Sequence, residues 1–157
     1  MKETYMDRLL VLSRELVPMA LEAKSQSEVL STLPAADVIK LVNKESKRLM
    51  VIYGEEQTRI AEEKYNKLIE KRDSGSELSL EDLGTEVINY LLYKRGMKEK
   101  RIAEEFNTDK KSVSRLKKEC AEAANKSALD KHKESFRQAC ENLKNMTHEQ
   151  IQQLKKN

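Results

Sequence analysis

Residues 93–118 read YKRGMKEKRIAEEFNTDKKSVSRLKK, and the fold is decided by how this stretch is read. Ile102, Ala103 and Phe106 recur at helical spacing, and so do Val113 and Leu116. The pattern predicts two helices, over 98–106 and 110–124, joined by a tight turn. Ala103 is small, as two steeply crossing helices require at their closest approach. Asn107 falls at the turn, and asparagine is one of the few non-glycine residues that tolerate a left-handed backbone. Asp109 stands where the second helix needs an N-cap.

With Val113 and Leu116 turned inward, the opposite face of the second helix presents Lys110, Lys111, Ser114, Arg115 and Lys118. Such a face suits entry into a DNA major groove, where arginine makes paired hydrogen bonds to guanine and lysine neutralises phosphate. Charge supports this placement. Residues 94–118 hold ten basic and four acidic side chains, a local net charge of +6, while the whole chain carries only +3. The preceding block, 73–93, has five acidic residues and no basic one. A cationic segment set against an acidic one points to a localised anionic partner.

The run Ile-Ala-Glu-Glu-Phe-Asn-Thr-Asp-Lys-Lys-Ser-Val-Ser-Arg-Leu resembles the helix-turn-helix of lactose-repressor-type regulators and of resolvase- and transposase-type DNA-binding domains. Their pattern is I/V-A-x-x-x-G-V-S-x-x-T-V-S/Y-R. Ala103 matches its packing alanine, Asn107 its turn glycine, Asp109 its serine cap, Ser112 its threonine, Val113 its core valine and Arg115 its arginine. Thr108 and Asn107 depart from the pattern's apolar residue and glycine. The resemblance covers about a quarter of the chain and implies a three-helix domain over about 79–120, with 110–118 as recognition helix. The DNA-binding residues expected are Lys98, Lys100, Arg101, Lys110, Lys111, Ser112, Ser114, Arg115 and Lys118.

Outside this stretch the sequence is helical and charged. Charged residues make up 36% of the 157, with only four glycines and two prolines. A β-sandwich or barrel spends glycine and proline on turns, so the composition excludes it and predicts an all-α protein. Met6, Leu9, Leu10, Leu12, Leu16, Val17, Ala20 and Leu21 give the N-terminal helix a wide apolar stripe. Ser31-Thr32-Leu33-Pro34 stops it and restarts another from Ala35 to about Lys71, where Gly54 is a candidate kink. Asp73-Ser74-Gly75-Ser76 reads as a linker. Ser79 and Asp82 read as the capped start of a helix running to Arg95 and ended by Gly96. Thr147 with Gln150 predicts a second capping box near the C-terminus.

The expected organisation is an N-terminal helical dimerisation region (1–72), a linker (73–78), a helix-turn-helix DNA-binding domain (79–124) and a C-terminal helical extension (125–157). Leu49-Met50-Val51-Ile52-Tyr53 is the candidate subunit interface. His132 and His148 lack clustered partners, and no phosphate loop, nucleophile elbow or zinc spacing is present, so neither catalysis, metal nor cofactor is expected. Cys120 is expected to be a buried structural thiol, the alternative being a redox-sensing thiol whose pKa is lowered by Lys117 and Lys118. No run approaches the roughly 20 apolar residues of a membrane span, and no signal-peptide core is evident. The expectation is a cytoplasmic homodimer that binds double-stranded DNA as a transcriptional regulator, without a membrane partner. A protein-interaction adaptor of phage or mobile-element type, using its N-terminal helices, and a recombination or replication accessory protein are the alternatives.

Overall fold

A computed structural model describes residues 5–156, with side chains described from Arg14 onward. Met6, Leu9, Leu10 and Leu12 of the expected N-terminal stripe therefore have side chains outside the described residues. The chain is all-helical, and no strand occurs among the described residues. In order come α1 (Tyr5–Ser25), α2 (Glu28–Ser31), α3 (Ala35–Asp73), a 3-10 turn (Leu80–Asp82), α4 (Thr85–Asn89), a π-helical turn (Tyr90–Lys94), α5 (Glu99–Glu105), α6 (Lys110–Lys144) and α7 (His148–Lys156).

Two compact units form, and their boundaries cut across the expected organisation. One unit comprises the chain up to Ile52 together with Ser127 onward; the other comprises Tyr53–Lys126. Both long helices, α3 and α6, contribute residues to each unit.

In the first unit the buried side chains follow helical spacing. Leu16, Ala20 and Ala23 come from α1, and Val38, Leu41 and Val42 from α3. Phe136, Ala139, Cys140 and Leu143 come from the end of α6, and Ile151 from α7. The expected N-terminal region and C-terminal extension thus close one apolar core. Short-range caps fix the chain between these helices. Ser27 accepts the Leu30 N–H at 3.2 Å to start α2. The Thr147 N–H donates to Gln150 Oε1 at 2.8 Å, and the Gln150 N–H donates to Thr147 Oγ1 at 3.2 Å, completing the expected capping box. At the far end of α7, Lys44 Nζ donates to the Leu154 carbonyl at 2.7 Å, satisfying a terminal group that the helix itself leaves unpaired.

The second unit packs Tyr65 of α3 with Leu78, Leu83, Val87, Ile88, Leu91, Met97, Ile102, Ala103, Phe106, Val113 and Cys120. The stretch expected to be a linker is instead a sharp reversal inside this unit. Gly75 takes a positive φ of 105°, the Ser76 N–H donates to the Lys71 carbonyl at 3.2 Å, and Leu78 is buried. This is a helix ending that requires a left-handed residue. The helix expected from Ser79 begins later. Asp82 accepts from the Ser79 N–H at 2.8 Å, but only a 3-10 turn forms there, and Gly84 is the N-cap of α4. The ladder then widens to π geometry, with the Arg95 N–H donating to the Tyr90 carbonyl at 3.0 Å, before Gly96 (φ 65°) ends it.

Neither long helix breaks where a break was anticipated. Gly54 lies inside α3, and α6 continues through residues 120–128, where an end near 124 was expected. Each core holds one cysteine, Cys140 in the first and Cys120 in the second. Burial pushes both thiols up, that of Cys140 to about 11, so the neighbouring lysines do not activate Cys120.

Candidate nucleic-acid interface

The α5–turn–α6 segment is built by its turn. Asn107 adopts φ 52° and is the one non-glycine residue with positive φ among the described residues. The Thr108 N–H donates to the Ala103 carbonyl at 2.9 Å, and the Asn107 N–H to the Glu104 carbonyl at 3.5 Å. This double closure ends α5 in a Schellman motif with Asn107 as the left-handed residue. Its side chain adds a tie, donating from Nδ2 to the Leu78 carbonyl at 2.8 Å. Two residues later Asp109 Oδ1 accepts the Ser112 N–H at 2.7 Å, capping α6. Hydrogen bonds from Ser112 hold the Asp109 carboxyl below the usual carboxylate range, with Lys111 and Arg115 adding to the effect.

The buried side of the segment is Ile102, Ala103, Phe106 and Val113, with Leu116 half-buried beside them. Burying Val113 fixes which side of α6 faces water. Lys110, Lys111, Arg115 and Lys118 are all exposed there, and Lys98, Lys100 and Arg101 are exposed at the start of α5. The seven expected cationic site residues thus lie on the solvent side of two consecutive helices.

The two serines are placed differently. Ser112 is half-buried in the Asp109 cap, and Ser114 is half-buried with its hydroxyl hydrogen-bonded to the Glu99 carboxylate. Lys117 Nζ approaches the same carboxylate at 3.3 Å. Glu99 therefore clamps α5 to α6, and Ser114 lowers its pKa first, with Lys117 and Lys110 contributing. Among the other basic residues of this block, Arg95 stacks its guanidinium over Tyr65 at 5.2 Å. Tyr65 in turn donates its hydroxyl to Glu105 at 2.5 Å, anchoring α5 on the end of α3. Burial, followed by the Glu105 contact, pushes that phenol up to about 12.

Sequence reasoning missed the concave part of this surface. Lys98, Lys100, Lys110 and Lys117 line an open cleft floored by Leu92 and Met97 and edged by Tyr93. Lys117 and Tyr93 were readable as residues, but the cleft depends on the π-helical turn, which carries no sequence signature. Among the described residues, no group of three His, Cys, Asp or Glu side chains is placed to hold a metal ion. No helix among the described residues is long and apolar enough to cross a membrane. No family model, curated protein or solved structure matches the chain.

Proposed function

We propose that the chain binds duplex DNA sequence-specifically, laying the first turns of α6 along the major groove, and acts as a transcriptional regulator. The observation that carries this reading is the exposed row Lys111, Arg115 and Lys118, turned away from the buried Val113, with Lys110 exposed at the first residue of α6. A groove-reading helix needs its cations free and its back fixed. Arg115, about a turn and a half into α6, reads bases. Lys98, Lys100 and Arg101 neutralise phosphates alongside. Ser114 makes its hydrogen bond to Glu99 and contributes through that clamp.

The regulator acts as a dimer on a near-palindromic site, with recognition helices one DNA turn apart or a multiple of it. Val51, Ile52 and Met50 on α3 are exposed apolar side chains on an otherwise charged helix, and they supply the surface for the second copy.

Selection of bound fragments from a random duplex pool tests the reading directly. A recovered motif with two-fold symmetry is the expected result, and a pool without enrichment would overturn it. On the recovered site, Arg115→Ala is expected to cost about 1–3 kcal/mol and to relax preference at one base position. Lys98→Ala is expected to weaken all sequences alike and flatten the salt dependence of binding. An unchanged motif and affinity in Arg115→Ala would remove the assignment of the reading face.

A further inference from the structure

The cleft beside the proposed DNA face has a chemistry that a duplex surface does not use. It is an open cleft of about 590 Å³. Four lysines line it against one carboxylate, Glu99, which is already bonded by Ser114 and Lys117. The remaining positive charge calls for a ligand with more than one negative charge. Yet the floor is apolar, made by Leu92 and Met97, and Tyr93 stands at its edge 65% exposed. A convex double helix offers phosphates to the rim but nothing flat and apolar to the floor.

The backbone adds an independent observation. Tyr93 and Leu92 are presented by a π-helical turn, in which an i to i+5 bond from Arg95 to Tyr90 replaces the α-helical ladder. Such turns are rare and mark functional sites more often than chance. Here the turn displays an aromatic ring and a leucine beside a ring of ammonium groups. An aromatic face next to lysines binds a nucleotide unit, with the ring stacked and the phosphates paired.

We propose that this cleft is a nucleotide-binding site. The base stacks on Tyr93 above Leu92 and Met97, and the phosphates lie on Lys98, Lys100 and Lys110. The nucleotide is free in solution or is an unstacked residue of a single strand; both present the same chemistry. Because Lys98, Lys100 and Lys110 also belong to the proposed duplex face, nucleotide and duplex compete. That regulatory consequence rests on the DNA-binding reading, whereas occupancy of the cleft does not.

Isothermal titration of the 157-residue chain with ATP, inorganic tripolyphosphate and a 5′-phosphorylated thymidine hexamer tests the site in the absence of duplex. ATP or the hexamer is expected to bind at least about fivefold tighter than tripolyphosphate, the increment set by ring stacking. Tyr93→Ala is expected to abolish that preference, with circular dichroism unchanged because the ring is exposed. Lys110→Gln is expected to weaken all ligands that bind. Whichever of ATP and the hexamer shows the larger Tyr93-dependent gain identifies the source. Absence of binding, equal affinity for tripolyphosphate, or a preference that survives Tyr93→Ala overturns the proposal. Duplex affinity measured in parallel is expected to be unaffected by Tyr93→Ala. Loss of duplex binding in the wild-type chain with the nucleotide preference intact overturns the DNA reading alone.

Discussion

Asn107 ends α5 and sets the direction of α6 through one backbone conformation. A residue other than glycine or asparagine at φ 52° pays roughly 1 kcal/mol or more. The hydrogen bond from Nδ2 to the Leu78 carbonyl is worth about another 1 kcal/mol. Asn107→Ala is therefore expected to lower stability by about 2 kcal/mol in urea unfolding. Asn107→Gly keeps the backbone conformation accessible but loses the side-chain bond, so it is expected to cost about 1 kcal/mol, roughly half the alanine effect. A neutral alanine variant would show that the turn carries no strain. This residue and the Asp109 cap were legible in the sequence because their reasons are local, a left-handed position and a carboxylate three residues before an N–H. Ser114 was not legible. Its partner Glu99 is fifteen residues away, and only the contact between α5 and α6 decides that the hydroxyl turns inward.

At the scale of elements, the clamp on Glu99 makes a pH-dependent joint between α5 and α6. Its pKa is lowered in the folded chain, chiefly by Ser114 and then by Lys117 and Lys110. A depressed carboxylate contributes stability above its unfolded value, about 4.3, and loses that contribution as pH falls through the lower folded value. Melting temperatures measured from pH 7 to pH 3 are expected to fall less steeply below pH 4.5 in Glu99→Gln than in the wild type, from a lower starting point at neutral pH. Identical slopes would show that the carboxylate contributes nothing to the joint. The helices themselves were legible in unequal degree. Apolar spacing gave the course of α3 and the start of α6, because burial on one face follows a period near 3.6. The second helix of the pair was expected to end near residue 124, but α6 runs on to Lys144. No glycine or proline lies between Lys110 and Lys144, so the backbone had no reason to stop. The segment 80–94 went the other way. Its apolar residues keep helical spacing, but Gly84 caps a later start and the π turn alters the end, while Leu83, Leu91 and Met97 are buried in one core.

For the whole molecule, the division of the chain follows tertiary burial rather than local punctuation. Asp73-Ser74-Gly75-Ser76 has the composition of a linker, yet the residues on both sides of it, Tyr65 and Leu78, belong to the same core. Conversely, the ends of the chain carry no mark of belonging together, and Leu16, Leu143 and Ile151 meet in one core. Turn chemistry announces that the chain reverses and is silent about which segments then pack. The same limit explains why the exposed cations of the α6 face were legible as a pattern while the neighbouring cleft was not.

The placement of sulfur has a practical consequence. The chain's two cysteines are divided between the two cores, so each interior carries a single chemical reporter. Both sulfurs are buried, so an aromatic disulfide reagent such as Ellman's reacts through local opening, and the rate of colour development reports how often that opening occurs. With Cys140→Ser, the signal follows Cys120 alone, and with Cys120→Ser it follows Cys140 alone. Phe106→Ala removes a fully buried ring from the core that holds Cys120 and is expected to cost about 3–5 kcal/mol, accelerating the reaction at Cys120 by at least a hundredfold. If the reaction at Cys140 keeps its wild-type rate, the interiors melt as separate bodies. If it accelerates in step, the two interiors unfold as a single cooperative event.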